Sequence, residues 1–357
     1  MIRYSRQQID DDDIAAVTAV LRGDWLTTGP AVTAFEEDLC AATGAAHAVA
    51  FANGTAALHG AAAAGGLGPG DVVATSPLSF VASANCARYV GATPTFVDID
   101  PATLNLDPTR VPAGLDGLVA VHYAGLPVDL TALPDRPRVI IEDAAHAIGS
   151  LTPDGPVGNC AHSDLCCFSF HPVKPMTTAE GGAVTTNSAE LAERLRRFRS
   201  HGMVPDPSRG GWYYEVVDTG YNYRLTDIQA ALGSSQLRKL EGFTAARIAA
   251  ADRYRELLAD ADLQLPPEIP AGYRSAYHLF PVRVRDRRRT YDGLQAAGVG
   301  VQVHYVPIHH HPVMAPYGPF DLPETDAAYE GLLSLPLYPD LTAADQDRVI
   351  AVLRSLL

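Results

Sequence analysis

A chain of 357 residues, 47% of them hydrophobic, is long enough for one large packed core with a smaller one beside it. Its 27 basic and 41 acidic side chains leave a formal charge of −14, which excludes the basic stripe of a nucleic-acid surface but not a phosphate held by backbone amides. No run of about 20 apolar residues is present for a membrane span, and the opening Met1-Ile2-Arg3-Tyr4-Ser5-Arg6 carries no apolar leader. Five cysteines without a C-x-x-C pair read as reduced thiols, so a cytoplasmic protein is expected.

Apolar residues at helical spacing (Ile14, Val17, Val20, Leu21) behind a run of aspartates predict a helix over 11–22. After a loop at 24–30, a second helix is predicted over 32–42. An alternation of short elements follows: strand 47–51, helix 55–64, strand 72–75, helix 81–90 and strand 94–97. Continuously apolar stretches at 118–122, 138–141 and 164–169 read as further buried strands. The expected fold class is therefore α/β, with a mainly parallel central sheet covered by helices on both faces. Near 183–186 the rhythm turns helical, and helices are predicted over 191–199 and 227–259. An extended stretch at 278–284, a helix over 291–297 and a last helix from Ala343 complete the chain. The long helix is expected to carry the boundary between a large domain, 1–240, and a small C-terminal α/β domain, 241–357.

Three segments carry chemistry. In Ser169-Phe170-His171-Pro172-Val173-Lys174-Pro175-Met176 an apolar strand ends and a turn presents a single lysine. Ligands of open α/β sheets sit beyond the carboxyl ends of the strands, and a lysine desolvated there becomes nucleophilic. A surface lysine in a turn is the competing reading. In Val139-Ile140-Ile141-Glu142-Asp143-Ala144-Ala145-His146 a carboxylate closes a buried strand. Asp143 either caps the next helix or faces a cation such as a protonated ring nitrogen, while Glu142 points to the opposite side of the strand as a structural group. In Asn53-Gly54-Thr55-Ala56 a strand passes through a tight turn into a helix start, which leaves amides and a hydroxyl free for an anion. Two clusters are weaker. Gly220 to Asp227 offers an amide, phenols and a guanidinium. His304 to His311 could suggest a metal. An extended stretch would send its alternate side chains to opposite faces, however, and no cysteine or carboxylate sits at ligand spacing nearby, so no metal is expected.

Taken in order, these segments resemble the DegT/StrS-type sugar aminotransferases of the type I pyridoxal-phosphate fold. The resemblance covers essentially the whole chain. It runs from Tyr4-Ser5-Arg6-Gln7 and Trp25-Leu26-Thr27-Thr28-Gly29-Pro30 through Asn53 to Leu58, Phe96 to Asp100, Glu142 to His146, Ser169 to Lys174 and Tyr221 to Asp227, ending at His304-Tyr305 and Pro307 to His309. It implies pyridoxal 5'-phosphate as cofactor, passing through pyridoxamine 5'-phosphate, with Lys174 as the covalent anchor and Asp143 on the pyridine nitrogen. His146 and Phe80 are implied against the two ring faces. Gly54, Thr55, Ala56 and Ser169 are implied at the phosphate, with Asn222 reaching it from the other subunit of a homodimer. Tyr4, Leu26, Thr27, Tyr305 and His309 are implied around a nucleotide-sugar substrate.

Relatives that dehydrate sugars carry histidine in place of the lysine, so Lys174 favours transamination from an amino-acid donor, glutamate by the resemblance. Tyr4 to Asp10 and Gly300 to Tyr305 are most similar to enzymes that aminate C4 of UDP-linked 4-keto-6-deoxy-N-acetylhexosamines, as in the pseudaminic-acid pathway. One departure stands out: His310-His311 replaces the Leu-Gln pair usual after the last motif histidine. A dTDP-keto-sugar or keto-inositol aminotransferase, a dehydratase using the same cofactor, and a non-catalytic cofactor-binding regulator remain as alternatives.

Overall fold

Seven strands build the central sheet of the computed structural model, which describes residues 1–357. They are β1 (His47–Phe51), β2 (Val72–Thr75), β3 (Thr93–Phe96), β4 (Gly117–Val121), β5 (Val139–Asp143), β8 (Leu165–Ser169) and β9 (Gly182–Thr186), with the two-residue strands β6 (Leu151–Thr152) and β7 (Gly155–Pro156) pairing apart. The spatial order is β1-β9-β8-β5-β4-β2-β3. Each pair from β3 to β8 is parallel, and β9 alone runs against its neighbours.

Side chains alternate across this sheet with the period of two that a strand imposes. Val49, Phe51, Cys167 and Val184 face a core with the helices α3 (Gly54–Ala64), α4 (Ala82–Tyr89) and α5 (Ala189–Arg199). Ala48, Ala50, Cys166, Phe168 and Ala183 face the opposite core, under α2 (Pro30–Thr43) and the start of α6 (Asp227–Leu257). Both faces are covered, which is why these strands read as unbroken apolar runs. Helix α1 (Asp11–Leu21) begins at Asp10, whose carboxylate accepts from the Asp12 and Asp13 N–H groups, and packs on α6.

The helical rhythm expected at 183–186 is not what forms. Those residues belong to β9, every one of which is buried between β1 and β8. Its β-branched Val184, Thr185 and Thr186 suit a pleated surface, and its polar groups are satisfied locally. The Thr185 hydroxyl donates to Gly158 O at 2.8 Å and the Thr186 hydroxyl to Asp164 O at 2.7 Å.

The 31 residues of α6 span about 46 Å and reach a second core. There Ala250, Ala251 and Tyr254 meet the antiparallel pair β12 (Phe280–Arg283) and β13 (Leu332–Leu335), with α7 (Arg287–Ala296) and α9 (Ala343–Leu356). Ile2, from the opposite end of the sequence, packs into the same core and bridges to Val299. Helix α7 starts four residues before the expected 291 because Asp286 caps it through Arg289 N. Helix α8 (Pro323–Gly331) follows the loop after α7, and the hairpin of β10 (Met203–Pro205) and β11 (Tyr214–Val216) exposes Trp212 at 83%. No helix is long and apolar enough to cross a membrane.

Candidate active site

A cavity of about 670 Å³ opens where β5 and β8 end and α3 begins. Its walls include Tyr4, Gly54, Thr55, Ala56, Phe80, Asp143, His146, Ser169, Lys174 and Tyr305, all singled out from the sequence. Leu26, Thr27, Asn222 and His309 stand outside it, and the first three are exposed. The volume lies within the roughly 300–1,000 Å³ of small-molecule sites.

Lys174 follows β8 by a tight turn in which its N–H donates to His171 O at 2.9 Å. The N-terminal segment crosses this turn, and the Ser5 hydroxyl donates to Val173 O at 3.2 Å. Burial lowers the Lys174 pKa from 10.5 to about 8, and the negative charge of Asp143 partly offsets that fall. The amine is therefore neutral far more often than an ordinary lysine near pH 8.

Asp143 closes β5 and is 5% exposed. Ser83 on α4 donates its hydroxyl to Oδ2 at 2.7 Å, and Ala145 N–H donates to Oδ1 at 3.2 Å. The carboxylate is thus held in one orientation. Glu142 turns the other way, as expected. Burial acts to raise its pKa, but hydrogen bonds from His122 and Ser163 prevail and hold it below the usual carboxylate range.

Three histidines surround the lysine. His146 Nε2 lies 3.0 Å from the Tyr305 hydroxyl, and its ring centroid is 4.4 Å from that of His278. Burial, and then the charge of Lys174, depresses His304 to about 3, while its Nδ1 pairs with the Ser334 hydroxyl at 3.0 Å. Burial also holds His146 and His278 well below the ordinary histidine value, aided by the surrounding positive groups. All three present neutral rings at physiological pH. The Nδ1 atoms of His146 and His278 are buried without a protein partner.

The opposite end of the cavity is the first turn of α3. Asn53 caps it by accepting from Ala56 N–H at 2.9 Å, so of the expected phosphate donors the Ala56 amide is already engaged. The N–H groups of Gly54 and Thr55 are left without an intrahelical acceptor. Close packing makes this corner: a Cβ on Gly182 would come within 2.5 Å of Asn53 O, and one on Gly54 within 3.1 Å of Ser169 Oγ.

Ser83 and His278 were not found from the sequence. Ser83 reads as an ordinary helix residue, and only the fold brings it to Asp143, 60 positions away. His278 had one visible signal, a polar side chain inside the extended apolar run at 276–282. The extended reading of 304–311 is also corrected. Residues Ile308–His310 form a 3-10 turn that sets the His309 and His310 ring centroids 4.3 Å apart, and α8 brings Asp326 to both.

A lysine and a buried carboxylate facing one cavity beside a helix start narrow the chemistry, and the comparisons with known proteins decide it. The model of the DegT/DnrJ/EryC1/StrS aminotransferase family matches residues 7–354. The chain belongs to this family. It is a pyridoxal-phosphate-dependent sugar aminotransferase. Among its relatives, the spore coat polysaccharide biosynthesis protein SpsC of Bacillus subtilis (strain 168) is 37% identical across 99% of this chain and 96% of its own. PseC of Helicobacter pylori, an aminotransferase involved in the biosynthesis of pseudoaminic acid, is 31% identical with a TM-score of 0.92 over 99% of each chain. The PMP form of Spr1654 of Streptococcus pneumoniae, a candidate sugar aminotransferase, is 28% identical with a TM-score of 0.93 over 100% of this chain and 99% of that one. Spr1654 has also been solved in its PLP form.

The aminotransferase has the donor set its cofactor requires. A lowered-pKa amine suits an aldehyde, a serine-held carboxylate suits a protonated pyridine nitrogen, and a helix start with unpaired amides suits a phosphate.

Proposed function

We propose that this aminotransferase moves an amino group from an amino acid, glutamate, to the C4 ketone of a nucleotide-linked 4-keto-6-deoxy sugar of the UDP-N-acetylhexosamine type. The observation that carries the catalytic part is the partly neutral Lys174 held near the serine-braced Asp143 at the strand ends. The substrate class is supported by the likeness to PseC along 99% of both chains.

Bound pyridoxal phosphate supplies an aldehyde that exchanges covalently with amines and a ring that draws electrons from the α-carbon. Asp143 would hold a proton on the ring nitrogen, since it lines the cavity and its two oxygens are fixed by Ser83 and Ala145. Lys174 would take up and give back a proton at Nζ, its lowered pKa suiting it to both directions. Such positioned transfer is worth roughly 10²- to 10⁴-fold. His146, its tilt set by Tyr305, would offer a flat neutral surface to the cofactor ring, and Phe80, exposed by 56%, would offer a second. Gly54, Thr55 and Ser169 would hold the phosphate, with Ala56 completing that turn.

Leu26, Thr27, Asn222 and His309 lie outside the cavity of a single chain, and the β10–β11 hairpin beside Asn222 exposes Trp212, Tyr214 and Val216. These positions support a homodimer in which Asn222 serves the second subunit's phosphate. Tyr4 and Tyr305 then border the sugar, joined by Leu26 and Thr27 in the assembled enzyme, whereas the implied sugar contact of His309 is not kept, because its buried ring is turned to Asp326. The two cores support a division into a large cofactor domain and a small C-terminal domain within α6, between Leu240 and Ala250.

Two measurements test this. Borohydride reduction of the cofactor-loaded protein followed by peptide mapping is expected to leave the pyridoxyl tag on Lys174. A tag elsewhere, or none on loaded protein, refutes the assignment. The pyridoxamine form is then offered UDP- and dTDP-linked 4-keto sugars, with product mass and NMR as readout. Amination of the UDP sugar at C4 is expected, and preference for the dTDP sugar refutes the substrate class.

A further inference from the structure

We propose that His309, His310 and Asp326 form a binding site for a divalent transition-metal ion of the zinc type, where the turn at 308–310 meets α8. His309 Nε2 lies 3.0 Å and His310 Nε2 2.8 Å from the same Asp326 Oδ1. One ligand atom from each residue falls within 4.8 Å of the other two. Donors about 2.0–2.1 Å from a tetrahedral zinc stand about 3.3 Å from one another, so both nitrogen–oxygen separations are already close to that value. The two nitrogens stand within 4.8 Å of each other.

The surroundings fix two of the three ligands. The His309 side chain is 7% exposed and its Nδ1 is buried without a partner, so Nε2 is the atom through which the ring is held. Asp326 sits in the first turn of α8, and that turn is anchored from below. Asp98 accepts from Glu324 N and Thr325 N at 2.9 Å and from the Thr325 hydroxyl at 2.6 Å. His310, with its ring edge toward Tyr329, and Asp326 are 38% and 49% exposed, which leaves the ion a path from solvent and room for a water as fourth ligand. Two imidazoles and one carboxylate suit zinc, cobalt or nickel, whereas calcium and magnesium prefer all-oxygen sets. The ion clamps α8 to the segment that carries Tyr305 and whose Ile308 N–H holds Pro77 O at 2.8 Å. The proposal rests on no assignment of the reaction.

The test uses tag-free, full-length, cofactor-loaded protein equilibrated with zinc chloride and then dialysed, with bound metal measured by elemental mass spectrometry. About one zinc per chain is expected, with roughly tenfold or greater loss of affinity in both His310→Leu and Asp326→Asn. Circular dichroism and cofactor absorbance check that these variants remain folded and loaded. Cobalt(II) added to the unaltered protein gives a second readout that needs no variant, since low-coordinate cobalt with nitrogen ligands absorbs visibly more than its hydrated ion. No zinc retained by the unaltered protein, a cobalt spectrum equal to the hydrated ion's, or folded variants that hold zinc as tightly as the parent would each overturn the proposal.

Discussion

The chain contains two lysines, Lys174 and Lys239, so the state of the one in the cavity can be read against an internal reference. Burial shifts Lys174 from 10.5 to about 8. At pH 8 about half of it is then neutral, against about 0.3% of an ordinary lysine, a ratio of about 150. Lys239 goes the other way. Burial opposes its charge, but hydrogen bonds and ion pairs to Asp10 and Asp13 keep its pKa above the ordinary value. Trace acetylation of the cofactor-free protein across a pH series, followed by complete labelling with a heavy reagent and mass spectrometry, yields a titration curve for each amine. Access alters the plateau of each curve but not its midpoint, so the midpoint is decisive. Lys174 is expected to titrate near pH 8 and Lys239 well above it. Asp143→Asn removes the charge that holds the Lys174 value up and should move its midpoint lower still. A Lys174 midpoint at the ordinary lysine value would refute the desolvation argument, and one unmoved by Asp143→Asn would refute the opposing role of the Asp143 charge.

The same shift is a stability statement. Below pH about 8 both states of the cofactor-free chain carry the Lys174 proton and the folded state bears the full penalty; between about 8 and 10.5 only the unfolded chain binds it, so stability rises with pH. Lys174→Met should therefore raise the melting temperature of cofactor-free protein at pH 7, by at most roughly 3 kcal/mol in free energy, with the gain gone above pH about 10.5. An equal gain at every pH would count against the charge as its origin. Ser83→Ala removes a hydroxyl that donates to a buried carboxylate and should lower turnover about ten- to a hundredfold while cofactor absorbance remains. Gly182→Ala drives a Cβ to 2.5 Å from Asn53 O and 2.8 Å from Gly54 N, both backbone atoms. It should weaken cofactor affinity, measured by titration of the apo form, more than Gly242→Ala, where a Cβ meets nothing within 4 Å.

Much of the scaffold was legible because burial writes itself into residue patterns. Strands β1, β2, β4, β5 and β8 are short apolar runs bounded by turns, and Lys174 and Asp143 are polar residues placed where two such runs end. β9 was misread because its Gly-Ala-Val-Thr-Thr is small and half polar, and only its two partners make it a strand. Ser83 and His278 were invisible for a related reason: their significance lies in contacts across 60 or more positions, which no local spacing records. The His309–His310–Asp326 cluster escaped because a 3-10 turn, and not an extended strand, sets the two rings side by side, and because its carboxylate arrives from another helix.

The cavity walls are gathered from Tyr4, Asp143, Lys174, His278 and Tyr305, so they are complete only when nearly the whole polypeptide has been made. During synthesis Lys174, the proposed anchor, emerges long before His278 and Tyr305 of the cavity wall. Firm retention of the vitamin B6 group is then expected only late in folding, and the fraction of molecules that acquire colour on reconstitution is expected to follow the fraction in which both cores are folded.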